Sequence, residues 1–511
     1  MVDKQFYITT PIYYVNANPH IGTAYTTLVC DVLSRFKRLE GVQVKFLTGT
    51  DEHGQKVEQS AQKANVEPQV FVDEVSEKFV DLFREMNISN DDFIRTTEER
   101  HKKCATEFWN ILRKNGHIYL DKYSGWYSVR DETFYAEDEL VEGKAPTGAP
   151  VEWIEEESYF FNLSKWQDKL LEFYEQNPEF VFPKYRFNEI INFVKSGLRD
   201  LSISRVSFKW GIPVPGDPNH VIYVWLDALT NYLAAVGFPD MEGEFKRCWP
   251  ADIHMVGKDI TKFHAIYWPA FLMAAGIELP KQIVSHGWWL VEGEKISKSL
   301  GNVIDPMQLI RDYGLDQVRY YMMREISFGN DGSFSQSSFT LRVNSELSNK
   351  IGNLVQRTLS MVYKNCEASI PNYTKEKIDN LYEIYILAEV QLLFEKVKDK
   401  IEEYQFHKAL EEILLFVDHA NIFVDQESPW ALKKTDPAKM AEVLYTVLES
   451  VRYFAILLIP FIPDSGNKIL DQLLVPTEQR SFKYLTKDYA LGGGKISSPE
   501  GIFPRIVSEV L

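Results

Sequence analysis

The sequence predicts an α/β protein: a parallel-sheet domain interrupted by an inserted α+β module and followed by an all-α bundle. Three observations carry this expectation. Apolar strands alternate with amphipathic helices over the first hundred residues and again from about residue 216. Between them lie short aromatic strands broken by Gly/Pro turns, and beyond about Phe339 the pattern is almost wholly helical.

The first element, "FYITTPIYYV", alternates as a strand does and runs into "NANPHIGTAYTT", residues 16–27. In the helix that follows, Leu28, Val32 and Phe36 recur four apart beside Val29 and Leu33, one buried stripe stopped by Gly41. "VQVKFLTGTDEHG" is a second strand entering a polar turn, with another helix ending near Asn65. Strand, helix and strand within fifty-odd residues form the βαβ unit of a parallel sheet, which binds ligands at the carboxyl ends of its strands. Both "PHIG" and "TGTDEHG" fall there.

Residues 116–215 change texture to "GWYSVRDETFYAEDELVEGKAPTGAPVEW" and its like, the expected inserted module. The sheet pattern resumes with "HVIYVWLDALTNYLAAVG", "ADIHMVGKDITKFHAIYWPAFLMAAG" and "KQIVSHGWWLVEGEKISKSLGN". The expected divisions are therefore 1–115 and 216–338 for the two halves of the sheet domain, 116–215 for the insertion and 339–511 for the bundle.

Composition narrows the class. The 511 residues are 45% hydrophobic and 25% charged, as in soluble globular proteins, with no low-complexity tract. The start lacks the features of a signal peptide, and the longest apolar run, residues 454–463, is too short for a membrane span. A cytoplasmic protein with no membrane partner is expected. Cys30, Cys104, Cys248 and Cys366 lie far apart, which supports neither a disulfide framework nor a thiolate zinc site. A net charge of −17 argues against indiscriminate nucleic-acid binding, although a local basic face can still hold a nucleic acid.

Two stretches carry possible phosphate chemistry. "PHIG" is either a proline-shaped corner with Gly22 relieving crowding, or an anion site made by helix N–H groups, the helix dipole and His20. "EGEKISKSLGN", residues 292–302, is either a solvated surface loop or a clamp that places Lys295 and Lys298 on a polyphosphate. Trp225 and Tyr232, seven apart, share a face if "YVWLDALTNYL" is one helix. Their aromatic cluster by itself reads as plain core.

Taken together, "HIGT" and "KISKS" resemble the "HIGH" and "KMSKS" signatures of class I aminoacyl-tRNA synthetases. With "TTPIYYVNANPHIGTAY", "TGTDEHG", "YVWLDAL", "VGKDITKFHAIYWPAF" and "NKIGNLVQR" in the family's order, the chain resembles the methionyl-tRNA synthetases from residue 6 to about 430. The resemblance implies a Rossmann-like catalytic domain, an inserted connective module and an anticodon-binding helix bundle. It implies activation of L-methionine with ATP and Mg2+, then transfer to initiator and elongator tRNA(Met).

The implied catalytic residues are His20, Lys295 and Lys298. ATP is implied to lie against Pro19, His20, Gly22, Thr23, Gly257, Lys258, Asp259, Lys295, Ser297, Lys298 and Ser299. Methionine is implied to lie against Ile12, Tyr14, Asp51, Trp225, Ala228, Leu229, Tyr232, Asp259, Phe263, His264 and Trp268. Asp51 would neutralise the substrate ammonium, and His264 would reach the sulfur directly or through Tyr232. Asn353, Arg357 and Trp430 match the residues with which the family reads the anticodon, supplying an amide, a guanidinium and a stacking plane.

The chain departs from the family pattern in three ways. Thr23 replaces the second histidine of "HIGH", so the burden of phosphate contact is expected on His20 and the helix N-terminus. Ser128 and Asp131 stand where many members carry zinc-knuckle cysteines, and no cysteine occurs between Cys104 and Cys248, so no zinc or other metal site is expected in the fold. The chain ends at "GIFPRIVSEVL" without an appended domain, so a monomer is expected, with tRNA contacts around Lys184, Arg186 and residues 342–357. Competing readings are another class I synthetase, a nucleotidylyltransferase with a similar sheet, and a non-catalytic tRNA-binding paralogue.

Overall fold

A computed structural model describes residues 4–16, 18–130, 133–135, 137–291, 294–295, 304–371, 381–486 and 491–507. The chain divides into two compact units, Met1–Cys30 with Gln43–His286, and Asp31–Val42 with Gly287–Leu511.

The first unit is built on a seven-stranded, wholly parallel sheet. Its strands are β1 (Phe6–Thr9), β2 (Tyr13–Tyr14), β3 (Val44–Asp51), β4 (Asp92–Arg95), β5 (Val181–Phe182), β6 (Ile253–Gly257) and β7 (Ile283–His286). The order is β2–β3–β1–β6–β7–β5, with β4 also on β3. In β3 the last six residues are all buried, as a strand covered on both faces requires. Gly49 has a steric reason: a Cβ there would come within 2.0 Å of the Ile94 carbonyl oxygen on β4. The chain lays β3 on one side of β1 and β6 on the other. The crevice beyond the carboxyl ends of β1 and β6 is therefore the switch point at which sheets of this kind take ligands.

Residues 116–215 carry an antiparallel sheet of their own and one strand of the main sheet. Ile118–Ser128 and Glu152–Phe161 make a long antiparallel pair flanked by Thr133–Tyr135 and Leu201–Ser202. Trp126 lies opposite Trp153, edge to face at 5.4 Å. The strand of the main sheet is β5, whose two residues form its edge. Ser128 is buried on this ladder, while Asp131 lies outside the described residues.

The second unit is mainly helical. The helices Asn353–Asn365, Leu381–Glu402, Phe406–Glu427, Pro437–Leu458 and Pro463–Gln472 pack as a bundle around Pro437–Leu458, which is buried without a break from Val443 onward. In the same unit the fully buried Arg319 donates to Asp31 Oδ2 at 2.7 Å and to the Phe461 and Pro460 carbonyl oxygens at 2.9 and 3.0 Å. Satisfying a buried guanidinium in this way avoids the several kcal/mol that an unpaired one would cost, on the order of 3–5 when a partner is lost.

Candidate active site

The turn after β3 alternates its side chains between anchors. Glu52 is fully buried, and both its oxygens accept from Arg95, at 2.6 and 3.1 Å, with further bonds from Thr50 and Thr97. His53 points the other way, its Nδ1 2.6 Å from Asp227 Oδ2. The backbone is fixed as well: Glu52 N–H donates to Thr96 Oγ1, Trp210 Nε1 donates to the Glu52 carbonyl, and Gly54 N–H donates to the Trp210 carbonyl. Asp51, buried at the carboxyl end of β3, is held between these anchors and the pairing of β2, where Tyr14 lies opposite it.

The facing wall comes from "YVWLDALTNYL", which is two helices rather than one. Val224–Leu229 ends at Thr230, whose N–H and hydroxyl both return to the Asp227 carbonyl, and Asn231–Ala234 follows. The break separates the two aromatics expected on one face. Trp225 stacks on Phe263, centroids 3.6 Å apart and planes 6° from parallel. Tyr232 stacks instead on His254 at 4.1 Å and bonds through its hydroxyl to His264 Nε2 at 2.7 Å. Ile12, Tyr14 and Trp225 pack against a core that includes Leu229, Tyr232 and Trp268, and Ala228 is buried beside them.

His264 has a defined tautomer. Its Nδ1 lies 3.0 Å from the Ile260 carbonyl, which can only accept, so Nδ1 carries the proton and Nε2 accepts from Tyr232 O–H. Burial pushes its pKa down to about 4, leaving the ring neutral at pH 7. Burial likewise lowers His254, whose Nδ1 meets Thr9 Oγ1 at 2.8 Å, and raises the Tyr232 phenol. Phe263 and His264 sit on a π turn, Phe263–Tyr267, that leads into the Trp268–Ala275 helix. Such turns recur at functional sites.

At the other expected subsite, the Ile21–Leu39 helix starts directly after His20. The exposed imidazole turns back on it, Nδ1 accepting from Gly22 N–H at 3.0 Å. With Nδ1 accepting, the ring proton sits on Nε2, the atom able to donate to a phosphate. Pro19 is half-buried and Thr23 is buried. Thr26 ties the helix to the end of β7 by donating to the Gly22 carbonyl at 3.0 Å and meeting His286 Nε2 at 2.7 Å. At the end of β6, Gly257 and the following Lys258 are half-buried and Asp259 is exposed; a Cβ at Gly257 would lie 2.7 Å from the Asp259 carboxylate.

The remaining expected residues belong to the second unit. The Lys295 backbone pairs with Leu290 in a short strand, while Ser297, Lys298 and Ser299 lie outside the described residues. Asn353 is exposed at the start of its helix. The Arg357 guanidinium lies 6.0 Å from the ring centre of the half-exposed Trp430 and donates to Asp425 at 2.9 Å. This unit thus brings Arg357 and Trp430 together by itself.

Sequence reasoning did not single out Glu52, His53, Arg95, His101, Asp227 or His254. Glu52, His53 and Asp227 lie inside quoted motifs, so the motif was visible and the pairing was not. Among the described residues no cluster of three or more His, Cys, Asp or Glu side chains is arranged to hold a metal. Among them, too, no helix is long and apolar enough to cross a membrane.

Comparison with known proteins decides the family. Residues 6–152 and 147–359 match the family described as tRNA synthetases class I (M), and residues 376–510 match the anticodon binding domain of methionyl tRNA ligase. The methionine–tRNA ligase of Rickettsia conorii is 59% identical over 506 residues, spanning 99% of this chain and 100% of its own. The chain belongs to the methionine–tRNA ligases. The member from Rhizobium meliloti is 50% identical over 513 residues, with 98% of each chain covered. Among solved structures, Mycobacterium tuberculosis methionyl-tRNA synthetase in complex with methionyl-adenylate superposes with a TM-score of 0.95 at 48% identity, covering 98% of this chain and 100% of that one. The apo form of the same synthetase gives 0.88 at 45% identity, covering 99% of each. The chain is a class I aminoacyl-tRNA synthetase, a ligase that uses ATP to join methionine to tRNA.

Proposed function

We propose that the crevice beyond β1, β3 and β6 is where this ligase activates methionine. The observation that carries the reading is the bond from His53 to Asp227, which ties the turn bearing Asp51 to the helix bearing Trp225, Ala228 and Leu229. One end of that span offers a buried carboxylate for the substrate ammonium. The other offers Ile12, the Trp225–Phe263 stack, Tyr232, His264 and Trp268 for a thioether, whose polarizable sulfur gains from ring edges, with Tyr14 beside Asp51. Asp259, exposed in the turn after β6, would border both substrates.

Activation joins the methionine carboxylate oxygen to the α-phosphorus of ATP and breaks the bond to the β-phosphate, so charge develops on departing pyrophosphate. His20 through Nε2–H, with Pro19, Gly22 and Thr23 at the helix start, would hold phosphate from one side. Gly257 and Lys258 would border the nucleotide. Lys295, Ser297, Lys298 and Ser299 would supply further phosphate-binding donors, since donors aimed at developing charge do most of the work. Mg2+ bound with ATP would neutralise part of the polyphosphate charge. The 3'-terminal adenosine hydroxyl of tRNA(Met), initiator or elongator, then takes the methionyl group and releases AMP.

The same reading gives Asn353, Arg357 and Trp430 the anticodon and keeps the four-part division at residues 115, 215 and 338. It describes a cytoplasmic monomer without membrane contact and without zinc in the inserted module, where aromatic packing of Trp126, Tyr127 and Trp153 supports the fold that a metal would otherwise brace. Methionine-dependent exchange of pyrophosphate into ATP, run against a panel of amino acids, tests the reading. Exchange with leucine or isoleucine equal to that with methionine would overturn the pocket assignment, and no exchange with any amino acid would leave a tRNA-binding relic.

A further inference from the structure

We propose that Asp227, gripped by His53 and His101, is a positioning residue that sets the spacing between the two ends of the methionine pocket. The inference rests on the pocket assignment above and goes beyond it. Asp227 is fully buried, and each of its oxygens meets one imidazole: Oδ2 meets His53 Nδ1 and Oδ1 meets His101 Nε2, both at 2.6 Å. His53 and His101 are themselves buried. The three groups come from three elements: the turn after β3, the Glu99–Lys114 helix and the Val224–Leu229 helix.

A carboxylate in such a place is costly unless its charge is met by strong hydrogen bonds, and an apolar trio of equal volume would fill the same space more cheaply. What the carboxylate and its two imidazole partners add is direction. Asp227 stands two residues after Trp225 and one before Ala228, while His53 stands two residues after Asp51. The His53 bond therefore fixes the ammonium end of the pocket against its side-chain end, and His101 fixes both against the rigid Glu99–Lys114 helix. Burial alone would raise the Asp227 carboxyl, but the two imidazoles outweigh it and hold it at about 2, so the clamp stays ionised throughout the neutral range. The clamp is separate from the groups assigned to the reacting atoms, so its effect must pass through Asp51 and Trp225.

The test is pyrophosphate exchange, with active sites counted by the adenylate burst so that unfolded protein does not contribute. Asp227→Asn keeps the volume and removes the charge; it should raise the KM for methionine about tenfold or more, the scale of a lost charge-assisted bond, while the KM for ATP and kcat stay within about twofold. His53→Ala and His101→Ala should reproduce that pattern. His53→Asn and His101→Gln place an amide N–H where Nδ1–H and Nε2–H stand and should restore most of the methionine KM. An unchanged methionine KM in Asp227→Asn, equal rises for methionine and ATP, or amide variants no better than the alanines would overturn the inference. Asp51→Asn, run alongside, separates the two layers. If it leaves the methionine KM unchanged, the pocket assignment falls and the clamp with it; if it raises the KM and Asp227→Asn does not, the clamp alone falls.

Discussion

Removing the hydroxyl of Tyr232 should shift this enzyme's preference toward a substrate that brings its own hydrogen-bond donor. The Tyr232 O–H fills the Nε2 acceptor of His264 at 2.7 Å, while the His264 Nδ1–H is held by the Ile260 carbonyl at 3.0 Å. Both side chains are at most 2% exposed, so water does not take over the bond in Tyr232→Phe. A buried acceptor left empty costs about 1–3 kcal/mol. The thioether of methionine has no hydrogen to give, whereas the thiol of homocysteine is a weak donor. If the thiol recovers about half of that cost, the ratio of kcat/KM for homocysteine over methionine rises roughly two- to thirteenfold. Pyrophosphate exchange with each amino acid, in wild type and in Tyr232→Phe, gives the ratio directly. A ratio that is unchanged, or that moves toward methionine, would refute the chain of donors drawn here.

Other outcomes follow from the same geometry. Lys298→Ala should slow adenylate formation by at least about a hundredfold, the typical loss of one preorganised donor to transition-state charge, and near-normal turnover would remove Lys298 from the reaction. Because His264 sits at about 4 when folded and near 6.5 when unfolded, its share of stability is full at pH 7 and is lost as the pH falls from about 6.5 toward 4; the methionine KM should be flat between pH 8 and 6 as far as this group is concerned and rise only near its folded pKa. Trp430→Ala should lower kcat/KM for tRNA by about five- to a hundredfold, the worth of one stacked base, without changing tRNA-independent pyrophosphate exchange. Metal analysis of the purified protein should find no stoichiometric zinc; one zinc per chain would overturn the reading of Ser128 and Asp131.

What could be read from the sequence was what is local. The corner at His20 and the turn at Asp51 follow from a strand period of two that ends in polar and glycine residues, and the structure places both at carboxyl ends of parallel strands. What stayed hidden was either too short or too distant. The edge strand Val181–Phe182 has two residues, fewer than any periodicity needs. The stop at Thr230 costs a helical pattern one residue, yet it sends Trp225 to Phe263 and Tyr232 to His254. His101 lies on the buried stripe of an amphipathic helix and looks like core; its partner Asp227 is 126 residues away. No composition or spacing rule marks such a pair. For the residues proposed to read the anticodon, the motif supplied Asn353, Arg357 and Trp430, and only the fold shows the Arg357 guanidinium shared between Trp430 and Asp425.

The π turn at Phe263–Tyr267 also bears on how the pocket can change over generations. A turn closed by i to i+5 bonds holds one residue more than an α turn, so Phe263 and His264 are carried out of phase with Trp268. Deleting a single residue within it would restore α spacing and swing Phe263 away from Trp225 by about 100 degrees, with Trp268 still anchored in the core. An insertion or deletion, usually the bluntest kind of mutation, would here act as a fine adjustment of side-chain bearing. With Phe263 and Trp225 in the pocket proposed above, such a deletion would alter amino-acid selectivity while leaving both of these side chains in the sequence.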